Sequence, residues 1–323
     1  YIEAHYNLGI TLEEQARLDE SEANYRQAIA LKPDHAKAHN NLGNTLQELG
    51  KLNEAVASYS RAISFKPDYA EAHVNLAIAV KNVKFNSSNR KLYPSLLQML
   101  TNGNFTRPSD VASSILSLLK HDIQIKGLLL EKTVPLNLKE ATFIIGSLDK
   151  LPLLHHLMRL CPIPDLQFER FFVTMRRFLL TNLDKIEASP ELIYFLSTLS
   201  IQCFINEYVY VESDEETHLI GDLQAEISQT LVQSEQPEAI KILCLASYRS
   251  LHHYDWCQKL ECLGNLEEVK KRLIEEPLVE KMIAKGIPLL EEISDGVSRK
   301  VREQYEENPY PRWEKGGIPL KAK

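Results

Sequence analysis

NNLGNTLQELGKLNEAVASYSRAISFKPD, residues Asn40 to Asp68, decides the fold, because a shift of 34 positions lays the sequence over itself. Leu8-Gly9 falls on Leu42-Gly43 and on Leu76-Ala77, Tyr25 on Tyr59, Ala28 on Ala62, and Lys32-Pro33-Asp34 on Lys66-Pro67-Asp68. Within the unit, Leu42, Leu46 and Leu49 recur at three- and four-residue spacing, which predicts an amphipathic helix closed by Gly50 at a position that tolerates positive φ. A second helix is expected to start from a cap at Asn53 and to bury Ala55, Val56, Tyr59, Ala62 and Ile63. Gly43 and Ala55 are small where the two helices must cross closely, and Pro67 stops the second helix. Asp68 with Glu71 spells a capping box for the next first helix. One such pair cannot bury its own apolar faces; stacked pairs can, and the stack curls around a concave groove.

That period, with Leu-Gly early, an aromatic and an alanine later and a proline near the end, resembles the tetratricopeptide repeat (TPR). Asn7, Asn41 and Asn75 immediately precede the Leu-Gly or Leu-Ala pairs, on first helices, which line the inner surface of such a superhelix. An amide side chain offers a donor and an acceptor, so a row of them pairs with the backbone of an extended peptide without reading its sequence. The competing reading is that the same amides bond neighbouring repeats or water. Asn44 and Lys81, further along first helices, extend the same face. His5, His39 and His73 also recur at the period; a ladder spreads its members along the stack, so they read as filling between repeats and not as a metal site.

At 323 residues and 44% hydrophobic content the chain has room for two or three domains with ample core. Its net charge of −7, from 44 acidic and 37 basic residues, argues against a general binder of nucleic acid or of anionic membranes. Only 12 glycines and pervasive helical spacing predict an all-α protein. The five cysteines are odd in number and sit mostly in apolar helical patterns, which suits a reducing cytoplasm. The most apolar run, Leu192 to Ile205, is broken by Ser197, Thr198, Ser200 and Gln202 and is too short to span a bilayer. Opening on Tyr1 inside a repeat, the chain reads as a piece of a longer protein, with further repeats expected upstream.

The expected organisation is a TPR superhelix of two full repeats and a divergent third over residues 1–85, a divergent helix and linker over 86–107, a globular helical domain over 108–295 and a lead-in over 296–323. In the third unit Asn86-Ser87-Ser88-Asn89 interrupts the pattern, and Leu92 to Leu100 is expected to form a divergent helix over the end of the stack. Starts are expected at Asn137 with Glu140, Pro152, Asp165, Ser189-Pro190, Ser213 with Glu216, and Pro237, the last opening a helix over Ala239 to Ser250. Asn206 and Glu207, polar groups in an apolar helix, are expected to pair with Arg176 or Arg177, and Glu212 to Glu216 read as a solvated helix start. His252, His253, Cys257 and Cys262 lie near one another without matching a metal-ligand spacing, and His155-His156 reads as one packed and one exposed histidine. No nucleophile elbow, phosphate loop or Gly-rich dinucleotide turn occurs.

The tail runs Asp295-Gly296-Val297-Ser298-Arg299-Lys300-Val301-Arg302-Glu303-Gln304-Tyr305-Glu306-Glu307-Asn308-Pro309-Tyr310-Pro311-Arg312-Trp313 and resembles the lead-in to the catalytic domain of bacterial TPR-containing methyltransferases. Asn104-Phe105-Thr106-Arg107-Pro108, Leu151 to Leu154, Gln202 to Tyr208 and Ala246 to His252 resemble the same family. The resemblance implies a class I, S-adenosylmethionine-dependent domain in a longer parent, since this sequence stops before any such strand; no catalytic residue is assigned to the chain itself and no cofactor is expected on it. Tyr305, Asn308, Tyr310, Arg312 and Trp313 are then either a cover for the parent's cofactor pocket or a rigid strap between domains. The Asn-Leu-Gly pattern of the repeats is also similar to that of O-linked N-acetylglucosamine transferases, which implies an alternative role in presenting protein substrates for glycosyl transfer. In either case the partner is a protein or extended peptide in the groove.

Overall fold

Helix pairs form where the 34-residue spacing places them. A computed structural model describes residues 1–102, 105–129, 136–261, 263 and 266–286, which contain helices and no strand. They fall into two compact units, one of residues 1–127 with 152–157 and one of residues 128–151 with 158 onward.

In the first unit α1 (Ile2–Glu14) pairs with α2 (Leu18–Leu31), α3 (Ala36–Glu48) with α4 (Leu52–Phe65), and α5 (Ala70–Lys81) closes against α4. Gly50 turns the chain between α3 and α4 at φ 73°, as expected, whereas the equivalent turn in the first repeat puts Ala16 at φ 58°. Two expected caps are not used. α4 starts at Leu52, so Asn53 lies inside its first turn, and α5 starts after Tyr69 with no side-chain cap from Asp68. The backbone closes that turn instead, Tyr69 N donating to the Lys66 carbonyl at 3.0 Å, while Glu71 is drawn to Asn40.

Gly43 lets α3 approach the Tyr59 ring so closely that a Cβ there would lie 2.4 Å from it. Ala38, Leu46, Ala55, Val56, Tyr59, Ala62 and Ile63 are buried, which matches the expected core face. His39 and His73 are buried between repeats, each Nε2 donating to the carbonyl of Pro33 or Pro67 at 2.9 Å. They stack on Phe65 and Phe105. Burial holds the His39 pKa below its usual value, so the ring is neutral at pH 7.

α6 (Tyr93–Thr101) packs on α4, where the second helix of the third repeat belongs, with Ser95 Oγ donating to the Ser60 carbonyl at 3.3 Å. α7 (Pro108–Leu119) packs against α5, so this unit continues past the 86–107 segment expected to link the domains. Buried Asp122 ties its end together by accepting from Arg90, Tyr93 and the Gln124 N–H.

In the second unit the helix starts follow the sequence. α8 (Leu138–Leu148) has the Asn137/Glu140 capping box, α10 (Leu166–Thr181) is capped by Asp165, α11 (Pro190–Ile205) by Ser189, and α12 (Asp214–Val232) by the Ser213/Glu216 box. α9 (Pro152–Leu160), whose residues 152–157 count with the first unit, precedes α10; α13 (Ala239–Ala246) ends four residues before the expected Ser250. α14 (Glu267–Lys270) continues through a π-turn, Lys271–Glu275, into α15 (Glu276–Gly286). α11, apolar on nearly every side, is the central helix and packs against α8 and α13.

Two electrostatic expectations are corrected here. Arg176 and Arg177 do not turn to Asn206 and Glu207. Arg176 is buried, donates to the carbonyls of Ser247, Tyr210 and Val211 and lies over the Tyr248 ring, 4.0 Å from its centre. Arg177 pairs with Glu216, which is 0% exposed and not part of a solvated helix start. Glu212 likewise pairs with Arg249 at 2.7 Å. The acidic run therefore divides between exposed Asp214 and Glu215 and two carboxylates engaged by arginines from other elements.

Candidate functional site

α1 packs on α3 and α3 on α5, so the first helices form one continuous layer. The candidate site is the polar face of that layer. Asn41 is half-buried, its Nδ2 directed to the Tyr6 and Tyr25 hydroxyls at 3.3 and 3.5 Å. Asn75, one repeat on, is also half-buried and donates to Oδ1 of Asn44 at 3.0 Å and of Asn40 at 3.2 Å. Asn44 accepts from the Tyr59 hydroxyl at 2.9 Å as well. Asn40 Nδ2 lies 3.5 Å from Asn41 Oδ1, so these three sequence-predicted residues belong to one amide and phenol network that crosses from repeat to repeat, which is the bonding that the competing reading expects.

The other two stand apart from it. The Asn7 side chain is exposed and has no hydrogen-bond partner among the described residues. Lys81 is exposed at the far end and pairs with Asp110 at 2.7 Å.

Several members of the face were not singled out by sequence. Asn40 is buried and donates to the Glu71 carboxylate at 2.9 Å. Tyr25 and Tyr59 have rings sunk between helices, yet their hydroxyls reach the polar face, Tyr25 donating to Glu13 at 2.7 Å. The period marks both tyrosines, but a core reading accounts only for the ring. Burial, and then the nearby carboxylates, push both phenols far above their usual pKa, so they remain donors throughout the physiological range. Burial also raises the Glu13 carboxyl, against the lowering effect of the Tyr25 bond. The arrangement provides amides already oriented by neighbours: Asn75 Oδ1 and both ends of the Asn7 amide remain open for pairing.

Tyr305, Asn308, Tyr310, Arg312 and Trp313 lie outside the described residues, as does Cys262. Cys257 is buried, and no group of three His, Cys, Asp or Glu side chains among the described residues is placed to hold a metal ion. His155 is buried and His156 half-buried. No described helix is long and apolar enough to cross a membrane.

Residues 14–50 and 44–83 match the family model of the TPR repeat, so this part of the chain carries TPR repeats, which generally bind proteins or peptides. No curated protein matches the chain. Among solved structures it is similar to one described as the TPR domain of P58(IPK), with 17% identity over 95% of this chain and 72% of that one, at a TM-score of 0.26.

Proposed function

We propose that the TPR repeats bind an extended polypeptide along the face of α1, α3 and α5, with Asn7, Asn41 and Asn75 pairing with its backbone and Asn44 and Lys81 bordering the same track. The observation that carries this reading is the network linking Asn41, Asn44 and Asn75. It holds amides on successive repeats in fixed orientations, which reduces the side-chain entropy lost when a chain docks. Binding through backbone groups makes the module tolerant of ligand sequence.

Asn7 and Asn75 allow a clean test, because one is free and the other bonded. Asn7→Ala is expected to weaken binding of a fluorescein-labelled, uncharged Ser-Thr-Val peptide by roughly fivefold, with no change in thermal midpoint. Asn75→Ala is expected to weaken it similarly and also to lower the midpoint, since its two amide acceptors lose a donor. Unchanged affinity in both variants, with only Asn75→Ala less stable, would assign the amides to holding repeats together.

The wider proposal is that residues 108–295 regulate, and 296–323 lead into, the class I methyltransferase of a longer bacterial, cytoplasmic parent. It rests on the resemblance of the tail and of Gln202 to Tyr208 to that family. In this reading S-adenosylmethionine is bound by the catalytic domain of the parent, through a Gly-rich strand-to-helix turn, and not by the helices of this chain. Calorimetric titration of the chain with S-adenosylmethionine is expected to give no binding heat; micromolar binding would place a cofactor site here and overturn the division. The alternative, substrate presentation for an O-linked N-acetylglucosamine transferase, draws only on the Asn-Leu-Gly repeats and uses the same peptide groove.

A further inference from the structure

A cleft of about 850 Å³ lies wholly within the second unit, between the first turn of α8 and one face of α10. Among the described residues three cations border it, Lys139, Arg177 and Lys185, and no carboxylate lines it. In a chain of net charge −7, Glu216 on Arg177 is the one counter-charge that the described residues give these three cations. Lys139 and Lys185 are exposed and have no ion-pair partner among the described residues. Arg177 gives Nε and Nη2 to Glu216 at 3.0 and 2.9 Å, which fixes the guanidinium and leaves Nη1 open.

The neutral polar groups of the cleft are already used locally. Thr174 and Thr181 donate to the carbonyls of Arg170 and Arg177 on their own helix, and the Asn182 amide donates to the Phe178 carbonyl at 2.9 Å. The Asn137 side chain accepts from the Glu140 N–H as a cap. Among the neutral side chains of the cleft only Asn137 Nδ2 is left without an acceptor, a single donor and not a cradle for a small oxyanion. What remains is long, adaptable cations around the half-buried apolar surface of Val173 and Phe178. A volume in the usual range for ligand sites admits a few residues of extended chain.

We propose that this cleft binds an acidic peptide segment, whose carboxylates pair with Lys139, Arg177 and Lys185 while an apolar side chain lies on Val173 and Phe178. The site is separate from the TPR face and selects by charge, where that face does not. Arg177 is held by a buried carboxylate and so supplies the fixed point; the two lysines adapt to the spacing of the ligand's charges.

The test uses the full chain and a fluorescein-labelled Glu-Leu-Glu-Phe-Glu peptide read by anisotropy, with its Gln-Leu-Gln-Phe-Gln twin as control. The acidic peptide is expected to bind at least about tenfold more tightly than the twin and to be weakened by about 0.5 M NaCl. The Lys139→Glu/Lys185→Glu double variant is expected to lose about tenfold or more in affinity with an unchanged thermal midpoint, because both side chains are exposed and unpaired. Lys139→Ala/Lys185→Ala, which only removes charge, is expected to show the same loss in smaller degree. Equal binding of the two peptides, no binding of either, or unaltered affinity in both double variants overturns the proposal. Displacement of the peptide by inorganic pyrophosphate at comparable affinity also overturns it and reassigns the cleft to small anions.

Discussion

Gly43→Val is expected to destabilise the chain by about 3 kcal/mol or more, seen as a lower urea midpoint for loss of helical circular dichroism. An added Cβ would sit 2.4 Å from Cε1 and 2.6 Å from Cδ1 of Tyr59, inside van der Waals contact before valine's methyl groups are counted. The ring cannot withdraw. It is 1% exposed, its hydroxyl is tied to Asn44 at 2.9 Å, and α3 and α4 are packed along their length. Separating the helices would open the core formed by Leu46, Ala55 and Ile63 as well. Gly43→Ala gains about 1 kcal/mol in helix propensity, so its expected loss is smaller. Gly9→Val is expected to destabilise in the same direction, since a Cβ at Gly9 would lie 2.7 Å from the fully buried Tyr25 ring. A Gly43→Val protein that unfolds at the parent midpoint would contradict the close crossing on which the repeat stack depends.

The same contact shows what the sequence made legible. Gly43 and Tyr59 are local partners within one repeat, and their pairing follows from helix spacing alone. Carrying the shift one unit further brings Tyr59 onto Tyr93, but the glycine position has become Ala77 and the Tyr93 hydroxyl goes to Asp122 at 2.6 Å. The third pair diverges where the small residue and its aromatic cease to match, and α7 then packs on α5. Caps within four residues of their helix, such as those at Asn137, Asp165 and Ser189, were equally legible. Asn53 and Asp68 were not, because the turn between packed helices is set by the packing and closed by backbone bonds.

The candidate site was legible as positions and not as geometry. A period of 34 places Asn41 and Asn75 at equivalent points, but it does not say that Asn75 turns its amide toward Asn40 and Asn44, or that a buried tyrosine delivers its hydroxyl to the polar face. The acidic run before α12 failed for a related reason. Its local composition is that of a solvated helix start, and the groups that bury it, Arg177 and Tyr248, come from 39 and 32 residues away.

Glu216→Ala is expected to cost about 3 kcal/mol at neutral pH, and the cost is expected to shrink on acidification. One oxygen of Glu216 accepts from the Ser213 N–H at 2.9 Å and from Arg177, and the other accepts from the Tyr248 hydroxyl at 2.8 Å. Truncation removes half of the capping box of α12 and leaves a buried tyrosine hydroxyl unpaired. Arg177, whose side chain is 48% exposed, can return to water, which keeps the loss below that of a fully enclosed pair. Burial alone would raise the Glu216 carboxyl, but the Ser213 N–H, Arg177 and Tyr248 together outweigh it and hold its pKa below 4.5. A carboxylate depressed on folding contributes stability that is complete above its unfolded value and is lost as pH falls through the folded one. Asp122 and Glu212 are depressed too, so the stability of the parent alone does not isolate the effect. The gap between parent and Glu216→Ala does: urea midpoints are expected to differ most near pH 7 and to converge below the ordinary carboxylate range. A gap that stays constant into acid would mean that the ionised carboxylate is not what joins α10, α12 and the Tyr248 turn.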